Sequence, residues 1–237
     1  MQTHRTKAMI ECMAASRDQD PLAKARRQML ERDLKGRGIT DPRVLKAMAE
    51  IPREEFLPDA CRAQAYDDGP LPIGLGQTIS QPYIVALMTQ ELCVDSNCDV
   101  LEVGTGSGYQ SAVLSRLVRK VYTIERFSEL SESAQAVLQR LCVSNIEFCV
   151  GDGSCGWPDD QLPSGGYFDR IIVTAAVPKI PEPLANQLAE GGLIVMPVGY
   201  GGLQELIVGR KRQGQMAEKT ICSCRFVKLI GKYAFEE

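Results

Sequence analysis

Two carboxylates, three glycines and one serine are the residues here whose types and spacing can do chemistry. Glu102 stands two positions before Gly104, and glycine recurs at Gly106 and Gly108, interleaved with Thr105 and Ser107. Glycines at alternate positions between a strand and a helix let a ligand approach bare backbone. A dinucleotide site asks for G-x-G-x-x-G, whose third glycine falls at position 109. Tyr109 occupies that position, and the glycine comes one residue early. A negative side chain at 102 is also awkward for a pyrophosphate, so a nucleotide-like ligand without phosphates fits better. Glu102 can accept hydrogen bonds from such a ligand's amino group or from the loop's own amides. Glu125, followed by Arg126, lies 21 residues beyond Gly104, the distance at which an acid meets ribose hydroxyls. The plainer readings are a glycine turn that packs a helix on a strand, and a strand-end glutamate in solvent. Ser80 sits in a loop before Pro82, where a hydroxyl can cap the next helix or serve a reaction.

The elements that must position these groups alternate in kind. Val100, Leu101 and Val103 form a short buried strand leading into the glycines, and 109–118 carries a helical apolar stripe. A second strand at 120–126, a helix at 128–141 and a third strand at 146–150 end at Gly151-Asp152-Gly153. The run 168–176 is nearly continuous in apolar residues and therefore central, with small residues at its end that leave room for a ligand. A helix at 181–188, capped by Gly191-Gly192, a fifth strand at 193–198 and two late antiparallel strands at 203–208 and 221–229 complete seven strands. Upstream, helices at 21–36 and from Thr40-Asp41-Pro42 onward precede a Gly- and Pro-rich loop at 66–83 and a further helix. The expected class is α/β: a Rossmann-like, seven-stranded, mostly parallel sheet with helices on both faces and an N-terminal helical extension. The expected division is a loose tail over 1–20 and one domain over 21–237. Within that domain, 21–95 would hold the N-terminal helices and loop, 96–200 the ligand-binding core, and 201–237 the antiparallel strands.

Composition removes several classes. With 237 residues, 44% of them hydrophobic, the chain can bury one large core. A net charge of −3 argues against a nucleic-acid binder, and no run of about 18 apolar residues suggests a membrane span. Nine scattered cysteines fit buried thiols in a reducing compartment. Cys222 and Cys224 are too closely spaced for an ordinary zinc pair, and His4 is the only histidine, so no metal site is expected. The segment Asp152-Gly153-Ser154-Cys155-Gly156 imitates a nucleophile elbow but lacks its first glycine and any histidine base.

The pattern E-x-G-x-G-x-G resembles the first motif of the class I methyltransferases, which bind S-adenosylmethionine. The loop Ile73-Gly74-Leu75-Gly76-Gln77-Thr78-Ile79-Ser80-Gln81-Pro82-Tyr83 is more specific. Together with Ile51-Pro52-Arg53-Glu54-Glu55-Phe56 upstream, it resembles the protein-L-isoaspartate O-methyltransferases over roughly 22–230. The resemblance implies a cytoplasmic, monomeric repair enzyme that methylates isoaspartyl carboxylates and has no nucleic-acid or membrane partner. It makes Ser80 the active-site residue between cofactor and substrate, with Thr78 and Ile79 beside it. Asp152 would accept from the adenine amine, and Gly153 would leave space for the ring. Substrate backbone would meet Val227 and Lys228. Here the chain departs from the family, which has Phe-Val-Pro-Leu where this sequence has Phe226-Val227-Lys228-Leu229. Lys228 can attract the substrate carboxylate, point outward, or mark altered specificity or lost activity. The competing readings are a class I methyltransferase with another substrate and a cofactor-binding relative without catalysis.

Overall fold

The computed structural model describes residues 21–236; the expected tail over 1–20, with His4, lies outside them. The strands are β1 (Leu71–Gly74), β2 (Gln77–Ile79), β3 (Asp99–Val103), β4 (Lys120–Glu125) and β5 (Ile146–Val150). They continue with β6 (Phe168–Val173), β7 (Leu188–Val198), β8 (Gln204–Arg212) and β9 (Gln215–Cys224). The α-helices are α1 (Pro21–Gln28), α2 (Pro42–Glu50), α3 (Pro82–Glu91), α4 (Tyr109–Ser115), α5 (Ser128–Arg140) and α6 (Glu182–Gln187).

Seven strands form one sheet in the order β5-β4-β3-β6-β7-β8-β9. The pairs from β5 to β7 are parallel, and those of β7 with β8 and of β8 with β9 are antiparallel. The order reverses at β3: the chain moves outward to β4 and β5, then returns to its other side at β6. Open α/β sheets bind ligands at the carboxyl ends of strands where the order reverses. Alternation along the strands divides the core into two layers. Val100, Val121, Ile172, Val195 and Leu206 face the layer that contains the N-terminal helices and α3 to α5. Leu101, Val103, Ile124, Ile171, Val173 and Met196 face the layer of Trp157 and Leu184 of α6. Trp157 belongs to that core, edge-on to Tyr122 at 5.2 Å between ring centres.

Several local expectations are corrected. The helix expected over 21–36 is α-helical only to Gln28, then continues as a π-turn segment (Met29–Leu34) and a 3₁₀ turn (Lys35–Arg37). At the expected Thr40-Asp41-Pro42 helix start, Asp41 is the cap of α2, accepting from the Arg43 backbone N–H at 2.8 Å. The 66–83 loop contains the short antiparallel pair β1–β2, in the register Leu71↔Ile79 and Pro72↔Thr78. Gly191-Gly192 do not cap α6, because β7 begins at Leu188 and passes through both glycines. The last strand runs earlier than the expected 221–229. It ends at Cys224, and beyond it Lys228 makes only an isolated bridge to Ala176.

Candidate active site

The glycine turn is built from backbone hydrogen bonds between neighbouring strands. After β3, Gly104 takes φ +97°, a conformation L side chains avoid. A Cβ there would also collide with the Thr174 hydroxyl, which donates to the Gly104 carbonyl at 2.6 Å and to that of Val103 at 3.1 Å. The Gly104 and Thr105 N–H groups both donate to the Ile124 carbonyl, at 2.8 and 3.3 Å. Glu125 completes the turn: its Oε2 accepts from the Gly106 N–H at 2.8 Å and its Oε1 from the Phe127 N–H at 3.1 Å. A carboxylate has about four lone-pair positions, so Glu125 keeps acceptor capacity for a ligand.

Around this turn lies a cavity bounded by Thr78, Ile79 and Ser80 on one side and by Gly104 to Ser107 on another. Ile124, Glu125, Arg126, Phe127, Gly151 and Gly153 form its far wall, and Val227 to Ile230 its C-terminal wall. A Cβ on Gly153 would lie 2.5 Å from Val103 Cγ1, so this wall admits only glycine there. A second cavity of about 760 Å³ opens on the other side of the loop, lined by residues that include Arg37, Tyr83, Ile84, Arg225 and Phe226. Thr78, Ser80, Thr174 and Val227 line both cavities. The helix that follows is capped at Gln81 without a side-chain bond, so Ser80 is not its cap. The Ser80 hydroxyl has no hydrogen-bond partner among the described residues.

Residues 24–234 match the family model described as protein-L-isoaspartate(D-aspartate) O-methyltransferase (PCMT). The chain belongs to this family. A protein-L-isoaspartate O-methyltransferase of Trichlorobacter lovleyi is 50% identical over 213 residues, covering 90% of this chain and 96% of the relative. A solved protein-L-isoaspartate O-methyltransferase superposes with a TM-score of 0.78 at 30% identity, over 88% of this chain and 67% of the other. A Plasmodium falciparum relative of that description, solved in complex with S-adenosyl-L-homocysteine, gives 0.74 at 26% identity, over 86% and 97%.

In this methyltransferase, twelve of the residues expected at the site line the first cavity: Thr78, Ile79, Ser80, Gly104, Thr105, Gly106, Ser107, Glu125, Arg126, Gly153, Val227 and Lys228. Glu102, Gly108 and Asp152 do not. A Cβ on Gly108 would come within 3.0 Å of that of Ala134, so this glycine serves the approach of α4 to α5. Asp152 Oδ1 accepts from the Ser154 N–H and hydroxyl at 2.9 and 2.7 Å, and Oδ2 from the Lys232 N–H at 2.8 Å. Burial opposes its ionisation, but these donors hold its pKa below the ordinary value. Asp152 therefore anchors the C-terminal segment rather than facing the cavity. Conversely, Val85, Met88, Gln110, Phe127 and Thr174 line the cavity without having been singled out. The apolar spacing of Val85 and Met88 reads only as core, and Thr174 carried a signal solely in its place after a central strand.

Glu102 is the largest correction. It is fully buried, and the loop amide that it was expected to hold is held by Glu125. Its Oε2 accepts from the hydroxyls of Ser111 and of Thr123, the latter at 2.7 Å, while Oε1 has no partner. Thr123 Oγ1 lies 2.7 Å from Thr105 Oγ1, so a chain of hydroxyls joins this carboxyl to the cavity wall. Burial pushes the Glu102 pKa from 4.5 up to about 7; the Ser111 and Thr123 hydroxyls oppose this, and the Glu125 charge adds to it. Between these values the folded chain binds the proton more tightly than the unfolded chain. Glu102 therefore costs stability progressively as pH rises from about 4.5 to about 7, by about 3 kcal/mol at most. Glu102→Gln removes the ionisation. Urea unfolding should show the variant gaining on the parent by about that amount between pH 5 and pH 8; a difference independent of pH would refute the assignment.

Proposed function

We propose that the chain transfers the methyl group of S-adenosylmethionine to the free carboxylate of L-isoaspartyl residues in damaged proteins. The observation that carries this reading is the shared wall: Ser80, with an unpartnered hydroxyl, borders both cavities. The first cavity suits the cofactor. Gly104, Gly106, Gly151 and Gly153 present bare backbone to it, Glu125 offers a carboxylate to ribose hydroxyls, and Ile79, Ile124 and Phe127 offer apolar surface. Bound there, S-adenosylmethionine supplies a methyl group already activated on a sulfonium. The second cavity takes the isoaspartyl segment.

The residues of the chain then have a positioning task. A substrate carboxylate with a pKa of about 3.9 is ionised at neutral pH and needs no general base. Ser80 donates to that carboxylate and orients the attacking oxygen, and Thr78 and Ile79 close the wall beside it. Holding reactants in line can supply about 7 kcal/mol or more of the barrier. Eight free thiols among the described residues suit a reducing cytoplasm, where we place the reaction, carried out by a monomer that acts on proteins rather than on nucleic acid or membrane.

Lys228 is compatible with this activity. The Ala176 N–H donates to the Val227 carbonyl at 2.7 Å, and the Leu229 N–H donates to the Ala176 carbonyl at 2.8 Å. This pairing uses the groups on either side of residue 228, whose own N–H and C=O therefore point away from Ala176. A lysine in place of proline leaves the bridge intact.

Labelled methyl transfer to paired isoaspartyl and aspartyl peptides tests the reaction; base-labile ester should form on the isoaspartyl peptide alone. Ser80→Ala should lower kcat by about 10-fold or more with KM for cofactor little changed, whereas Glu125→Ala should act mainly on cofactor affinity. Small, equal effects from both would sink these roles. Lys228→Pro should stay within a few-fold of the parent in kcat/KM, and a loss beyond about 100-fold would make the lysine itself part of the machinery.

A further inference from the structure

The second cavity is charged in a way the whole chain is not. The chain carries a net charge of −3, yet Arg37 and Arg225 are the only ionised side chains lining this cavity among the described residues, with no carboxylate between them. The two arginines differ. Arg37 stacks on the Tyr83 ring at 3.5 Å, and its Nη1 donates to the Asp68 carboxylate at 3.0 and 3.3 Å, so its charge is largely offset. Arg225 donates only through Nε, to the Gly202 carbonyl at 2.8 Å, and its two Nη groups have no partner among the described residues. Its root is also fixed, since the neighbouring Phe226 N–H donates to Gln204 Oε1 at 2.9 Å.

From these observations we infer that Arg225 is a specificity-determining residue that favours isoaspartyl segments with acidic neighbours. The inference rests on the isoaspartyl reading of the second cavity. Arg225 is rooted two residues from Val227, which lies on the wall shared with the cofactor cavity. Extended chain advances about 3.3–3.6 Å per residue. The guanidinium therefore meets side chains within about three residues of the reacting carboxylate. Its planar fork, with both Nη groups open, suits an aspartate or glutamate, and a flanking lysine would meet it as a like charge. Lys228, on the adjoining wall, adds to the same sign of field.

The test uses three isoaspartyl peptides that differ only in the flanking residues: alanine, aspartate or lysine. With the parent enzyme at low salt, the aspartate-flanked peptide should exceed the lysine-flanked one by about 3- to 10-fold in kcat/KM, mainly through KM. The ratio should shrink below about 2-fold at 0.5 M salt, where screening is short-ranged. Arg225→Gln should reduce the ratio below about 2-fold at low salt, Arg225→Lys should retain part of it, and Arg37→Gln should change it less. Equal kcat/KM for the two charged peptides, or an unchanged ratio in Arg225→Gln, overturns the inference. Failure of the alanine-flanked peptide to accept methyl overturns the isoaspartyl reading instead, and this inference with it.

Discussion

The Glu125 carboxylate holds together what the rest of the site depends on. By accepting from Gly106 on one oxygen and Phe127 on the other, it ties the end of β4 to the turn after β3 and to the start of α5. The Ile124 carbonyl secures the same turn from the strand side through Gly104 and Thr105. The glycine turn, flexible by composition, is thus fixed by three of its own N–H groups, whose acceptors lie on β4, and by the Thr174 hydroxyl, which donates to the Val103 and Gly104 carbonyls. A charge-assisted acceptor is stronger than a neutral one, and this one is 94% shielded from solvent while still bordering the cavity. The group that stabilises the turn is also the one proposed to recognise the ribose, so the two roles are joined in one side chain.

A second carboxyl lies behind that arrangement and costs energy. Glu102 is sealed beneath α4, with one oxygen bonded to two hydroxyls and the other bare. A leucine would pack there at no such penalty, but it would leave the Thr123 and Ser111 hydroxyls without their acceptor. Thr123 in turn holds Thr105, a residue of the cavity wall. Two acids on neighbouring strands therefore have separate duties, set by their partners: Glu125 borders the cavity and accepts from two backbone N–H groups, and Glu102 below accepts from two hydroxyls.

The number and kind of the strands were legible because both rest on short-range pattern, whereas their order in the sheet rests on long-range pairing. The continuous apolar run of β6 announced a central strand, and glycines at 104, 106 and 108 announced the turn. The capping groups were less legible. On chemistry alone Ser80 read more readily as a helix cap than as a reacting group, and only the folded chain reveals Gln81 in that position with the serine hydroxyl left free. Asp152 read as a ligand contact because a strand-end acid after glycine is one by analogy; its partner, the Lys232 N–H, lies 80 residues away, beyond any local signal. Glu102 read as an acceptor for a ligand amine or the loop amides, and Glu125 as a ribose contact, since spacing gives the distance of an acid from a turn but not its depth; the Gly106 N–H in fact goes to Glu125. Gly191-Gly192 looked like a helix stop, yet β6 pairing already begins at Leu188 and draws the glycines into a strand.

Reaction class follows from what the shared wall contains and how little it asks of its residues. A hydrolase at this position would need a base within reach of Ser80, and no titratable group lies among Thr78, Ser80, Thr174 and Val227. Transfer between two bound partners needs only that each be held and that both meet at one opening. Four small or medium side chains at a junction of two cavities meet that need. The Gly104 requirement extends it: the Thr174 hydroxyl on this wall is held by the Gly104 and Val103 carbonyls. The wall facing substrate and the turn facing cofactor are thereby one rigid unit. A displacement of either would misplace the other, so the precision with which Ser80 meets the reacting atoms depends on the carboxyl end of the sheet behind it.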